Sequence, residues 1–152
     1  MRERASATVR RLFDQLSLHG ARDPRIARVY DGCTDGRPWF DAEHPVIVDA
    51  AERDSILRLL RGGGIVLHSD AHIRDEISGE DGIVSADLRS NGIWIWSDAA
   101  AYYLENHWIA PDADLIAHLS TTKPLALNDD TWQRLYAAIR SGSWEGMTWP
   151  LD

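Results

Sequence analysis

Asn91-Gly92 lies between two runs of strand-forming residues, Ile83–Leu88 and Ile93–Trp96, and this constrains the fold more than any other stretch of the chain. Asn-Gly supplies both positive-φ positions of a type I′ turn, the reversal whose twist matches an antiparallel hairpin. With a two-residue loop, Leu88 is expected to face Ile95, and Arg89–Trp94 and Asp87–Trp96 pair on the opposite face. A one-residue slip would exchange the faces, so register decides whether the tryptophans are core or surface. Ile65-Val66-Leu67, just after three glycines, reads as a further short buried strand.

Helical signals surround this β segment. Val9, Leu12, Phe13 and Leu16 recur at helical spacing over 5–18, with Gly20 as a stop. Asp23-Pro24 is expected to start a short helix through Val29, and 31–45, rich in Gly, Pro and Asp, to be loop held by Trp39 and Phe40. Asp49-Ala50-Ala51-Glu52 has capping-box spacing before the stripe Ile56, Leu57 and Leu60, with Gly62 as the C-cap. Residues 69–82 are polar and acidic, and read as loop. Asp98 is expected to cap a helix to about His107, Pro111-Asp112 to open another, and Asn128 to cap a last one ending at Gly142. The tail, with Trp144, Met147, Trp149 and Leu151, must then dock on the body. The expectation is one α/β (α+β) domain over 1–152. Its small antiparallel sheet is built on the 83–97 hairpin plus strand 64–68, packed against about five helices.

Composition narrows the function classes. At 44% hydrophobic and 26% charged the chain is of globular type, and no apolar run approaches the ~18 residues of a membrane span. The polar, Arg-rich amino terminus lacks the apolar region of a signal peptide. The single cysteine, Cys33, excludes an internal disulfide, so a cytoplasmic location is expected. The net charge of -8 is uneven: residues 1–37 hold eight Arg against five acids, and the remainder eight bases against nineteen acids. An acidic body repels phosphates, which disfavours nucleic acid and favours a basic protein partner.

His68-x-Asp70-x-His72 is the sharpest catalytic-looking pattern, because residues two apart on an extended segment share a side and two imidazoles with a carboxylate suit zinc or iron. Asp75 or Glu76 would supply a fourth ligand. The triplet begins where a strand enters a polar loop, so no metal or cofactor is assigned and no catalytic residue is named. Gly62-Gly63-Gly64 runs from helix to strand, the reverse of a phosphate-binding loop. Tyr103 and His107, four apart on one helix, are placed to share a site or to pack together. Seven tryptophans are unusual in a chain of this length. Trp94 and Trp96 on one hairpin face, beside Asp75, Glu76, Glu80 and Asp81, would form a recognition surface with apolar anchors and a charged rim.

The run Gly92-x-Trp94-x-Trp96, followed by Ser97-Asp98, Tyr102-Tyr103-Leu104 and then Pro111-Asp112, resembles a box in small bacterial proteins that are themselves similar to the immunity proteins of polymorphic toxin systems. It spans less than a fifth of the chain and transfers no catalytic residue. The resemblance implies a cytoplasmic protein that neutralises a cognate toxin by direct contact, without nucleic acid or membrane. The competing expectations are a small metal-dependent hydrolase using His68, Asp70 and His72, and a regulatory scaffold domain.

Overall fold

The computed structural model describes residues 24–123 and 127–141. Along these the chain forms β1 (Arg25–Ile26), β2 (Gly32–Thr34), β3 (Arg37–Trp39), α1 (Ala50–Arg61), β4 (Gly64–Leu67), β5 (His72–Ile73), β6 (Val84–Ser85), β7 (Leu88–Ser90), β8 (Trp94–Ser97), α2 (Asp98–His107), α3 (Ala113–Thr121) and α4 (Asp129–Ser141). The content is α+β. The helix expected over 5–18 and the tail tryptophans lie outside the described residues, within which there are four helices rather than about five.

The main sheet has the order β1-β8-β7-β4. β7 pairs antiparallel with both β8 and β4, as expected, but β1 adds in parallel to β8 where a short helix was anticipated. Pro24 permits either start. The extended form prevails because Arg25 N and Ala27 N reach Ile93 O at 3.0 Å and Ile95 O at 2.9 Å, closing the open edge of β8.

The hairpin register differs from expectation by two residues: Leu88 faces Ser97, Arg89 faces Trp96 and Ser90 faces Ile95. Gly92 has positive φ and Asn91 does not, so the type I′ turn does not form. Asn91 Oδ1 instead accepts from Ile93 N at 3.0 Å and Trp94 N at 2.9 Å, which draws four residues into the reversal. An even shift leaves the faces as assigned. A two-residue turn with both φ values positive occurs at Asp35-Gly36, and it converts part of the expected 31–45 loop into the β2–β3 hairpin. The run Ile83–Leu88 is likewise divided: β6 pairs with β5, and the chain changes partner at Asp87, whose N–H is tied to Ser85 Oγ at 3.3 Å.

Both faces of the β7–β8 pair are covered. Leu88 and Ile95 join Val66, Val84, Tyr103, Leu135 and Ile139 in one cluster, and Trp94 and Trp96 join Ile56, Leu57, Leu60, Leu104 and Leu115 in the other. β8 is therefore buried at every residue, so its alternation of Ile and Trp records two cores rather than a core and a surface.

Caps set the helix starts. Asp49, Asp112 and Asn128 cap as expected, accepting from Ala51 N, Asp114 N and Thr131 N. The α2 cap is Ser97, one residue before the expected Asp98, and it accepts from Ala99 N at 3.0 Å. Asp98 instead pairs with Arg89 Nε at 2.6 Å, and Arg89 Nη1 donates to Arg61 O and Gly63 O, joining the end of α1 to the start of α2.

Gly63 is needed for space. A Cβ there would lie 2.4 Å from Trp96 Cζ2, and that ring is held by Nε1 donating to Leu60 O at 3.0 Å. Gly63→Ala is accordingly expected to lower stability by about 1–3 kcal/mol through overpacking, measured as a reduced urea midpoint at unchanged slope. An unchanged midpoint would show that the ring can move.

Candidate functional site: a surface loop gripped by a buried aspartate

Between β5 and β6 the chain runs through 74–82, a loop that closes on itself. Asp75 N donates to Glu80 O at 2.9 Å and Gly79 N to Asp75 O at 2.8 Å. Gly79 and Gly82 supply positive φ where the path reverses. The Asp75 side chain points inward and is 1% exposed. Its Oδ1 accepts from Ile77 N at 2.8 Å and Ser78 N at 3.0 Å. Its Oδ2 accepts from Tyr102 Oη at 2.8 Å and meets His107 Nε2 at 2.6 Å.

Helical spacing on α2 produces the receiving surface. Tyr103 and His107 are one turn apart, and Tyr102 borders them. Tyr103 Oη accepts from Glu76 N at 3.0 Å and lies 3.3 Å from Tyr30 Oη, and Phe40 packs edge-on against Tyr103 at 4.7 Å. Burial alone would raise the Asp75 carboxyl, but the bonds from His107, the two amides and Tyr102 outweigh it and hold it well below the usual carboxylate range. The same burial, and the bond to that carboxylate, push the Tyr102 phenol up to about 12.

The outer side of the loop is different. Ile77 is 45% exposed, Glu80 and Asp81 face solvent, and Glu76 is largely shielded. Arg74 sits between the acids, 4.0 Å from Glu76 and 3.8 Å from Asp81. The loop thus displays one apolar side chain bordered by carboxylates on a backbone anchored from below.

Only part of the expected recognition surface is assembled. Glu80 and Asp81 are on it, Glu76 is at its edge, and Asp75 lies beneath it as the anchor. Trp94 and Trp96 are not on a surface at all, being 4% and 1% exposed under α1 and α3. Burial of β8 on both faces is the physical reason. Ile77 was missed, since a lone isoleucine in a polar loop carries no periodic signal. The Tyr103–His107 spacing was legible, but the carboxylate that unites it with Tyr102 lies 32 residues from His107 in sequence.

His68, Asp70 and His72 do not converge. The His68 ring nitrogens meet Asp87 Oδ2 and Asp70 Oδ1, each at 3.1 Å, while His72 lies on β5 opposite Ser85. Hydrogen bonding to Asp87 raises the His68 imidazole above its ordinary value. Among the described residues no group of three or more His, Cys, Asp or Glu side chains is arranged to hold a metal. His72 lines a cleft of about 320 Å³ with Arg61, Arg89, Tyr102 and Glu105, but both guanidiniums are already paired, Arg61 with Glu105 and Arg89 with Asp98. The Asp75–His107 contact ties the loop to the end of α2. No described helix is long and apolar enough to cross a membrane. No protein-family model, curated protein or solved structure matches the chain.

Proposed function

We propose that this chain is a binding protein of the immunity type, which acts in the cytoplasm and neutralises a cognate bacterial toxin by direct contact through loop 74–82. The observation that carries the reading is the burial of Asp75 beneath that loop. Four bonds to one carboxylate order the backbone before any partner arrives, which reduces the entropy lost on binding. Ile77 supplies an apolar anchor, and Glu80 and Asp81 supply a rim that, with the net charge of -8, steers a basic partner. The box from Gly92 to Pro111-Asp112, with its resemblance to immunity proteins, supports the same class.

The test is titration of the purified chain with the product of the adjacent open reading frame, by calorimetry for affinity and by stopped-flow mixing for association rate, at two salt concentrations. A complex weakened at least about tenfold by Ile77→Ala, and slowed in association by Glu80→Lys with Asp81→Lys, is the expected result. Tight binding that ignores all three substitutions would move the contact elsewhere. The absence of any complex with wild-type protein would overturn the immunity reading.

A further inference from the structure

One imidazole joins α3 to the β7–β8 turn, and the surrounding bonds dictate its protonation state. Asn91 is 4% exposed, and its Oδ1 is engaged by the amides of Ile93 and Trp94. Those amides determine which end of the carboxamide faces inward. Nδ2, which can only donate, is the atom 2.7 Å from His118 Nε2. Two donors cannot share that contact. Nε2 therefore presents its lone pair and the ring is neutral, with its proton on Nδ1. That nitrogen lies 3.3 Å from Thr122 Oγ1.

The charged neighbours oppose protonation as well. From β1, the Arg25 guanidinium stacks 4.5 Å from the Trp94 ring, and the His118 imidazole lies 6.2 Å from the same ring. Arg25 is weakly compensated by Asp114, one turn before His118 on α3, at 3.9 Å. α1 shares the Leu115 cluster through Ile56, Leu57 and Leu60, while its Arg53 and Arg61 are engaged by Trp108 and Glu105. Asp112 accepts from the Arg28 amide at 3.1 Å. Burial first, and Arg25 second, hold His118 below the ordinary histidine value.

We propose that His118 is an acid-released latch: a proton taken up on Nε2 sets N–H against the Asn91 amide group, frees α3 from the turn and uncovers Trp94 and Leu115. The direction follows from linkage. The unfolded or released chain binds the proton more readily than the latched one, so the latch holds fully above the ordinary histidine pKa of about 6.5 and weakens as pH falls below it. Nothing in this depends on which partner the protein binds.

The test combines ¹⁵N imidazole shifts with hydrogen exchange of the α3 amides, on wild type and His118→Gln. Glutamine retains an acceptor for Asn91 Nδ2 and cannot be charged. His118 is expected as the Nδ1–H tautomer at pH 7.5 and to titrate below the ordinary value. Exchange over 113–121, corrected for its intrinsic pH dependence, should rise in wild type by up to about tenfold per pH unit below about pH 6.5, the limit for one proton, and stay flat in His118→Gln. An Nε2–H tautomer, an ordinary or raised pKa, or an identical acid response in the two proteins overturns the latch. Should His118→Gln fail to fold, the tautomer and titration of wild type decide alone.

Discussion

Asp75→Ala is expected to lower the unfolding free energy by about 3 kcal/mol and to free loop 74–82 before the rest of the protein. The substitution leaves Tyr102 Oη, His107 Nε2 and the amides of Ile77 and Ser78 without their acceptor. Removing a shared acceptor strands several buried donors at once, and each unsatisfied donor costs about 1–3 kcal/mol. The figure sits at the low end of the usual range because the His107 side chain, 21% exposed, can regain water. Urea denaturation gives the total, and exchange at the Ile77 and Ser78 amides locates it. The pH dependence has a definite sign, because the folded carboxyl is held below its unfolded value. Its contribution is complete above the ordinary aspartate pKa of about 3.9 and is lost as pH falls below that, so wild type and Asp75→Asn should converge in acid. A loss under about 1 kcal/mol, or protection of the two amides equal to wild type, would remove the basis for a preordered loop.

Trp96→Ala should be comparably severe, about 3–5 kcal/mol, because the ring is 1% exposed and fills the space beneath α1. Trp96→Phe separates packing from polarity. It keeps most of the volume but leaves Leu60 O, near the end of α1, without the indole donor at 3.0 Å. An unsatisfied buried carbonyl of this kind costs about 1 to about 2 kcal/mol. The two residues at the close approach should also be coupled: phenylalanine at 96 gives a Cβ at 63 room, so the double variant Gly63→Ala with Trp96→Phe is expected to be more stable than the two single losses add up to. A double-mutant cycle with no interaction energy would contradict the tight contact. If Trp96 were instead a surface anchor, Trp96→Ala would weaken partner binding and leave the denaturation midpoint alone.

Segments whose local signal agrees with their tertiary use were readable. Asp49, Asp112 and Asn128 cap helices because a short side-chain acceptor at a helix start satisfies backbone amides wherever the helix packs. Strand 64–67 and the face assignment of Trp94, Trp96, Leu88 and Ile95 were readable for the same kind of reason, as strand alternation survives an even register shift. Asn91-Gly92 misled in detail because its side chain competed with the backbone turn, whereas Asp35-Gly36, lacking long flanking apolar runs, gave the reversal its dipeptide encodes without advertising it. What sequence alone could not show was pairing across distance. Arg25-Ile26 became a strand only because β8 offered an open edge, and the candidate site depends on a carboxylate and an imidazole that no local window contains together.

The parallel union of β1 with β8 also carries a consequence for synthesis. Arg25 emerges from the ribosome about seventy residues ahead of Trp94, its eventual neighbour, and must wait for that interval with its amides solvated and its side of the sheet absent. β4, β7 and β8 pair with partners nearby in sequence, whereas β1 must close a far longer loop, and its arrival covers the edge of β8 on which a second nascent chain would otherwise pair.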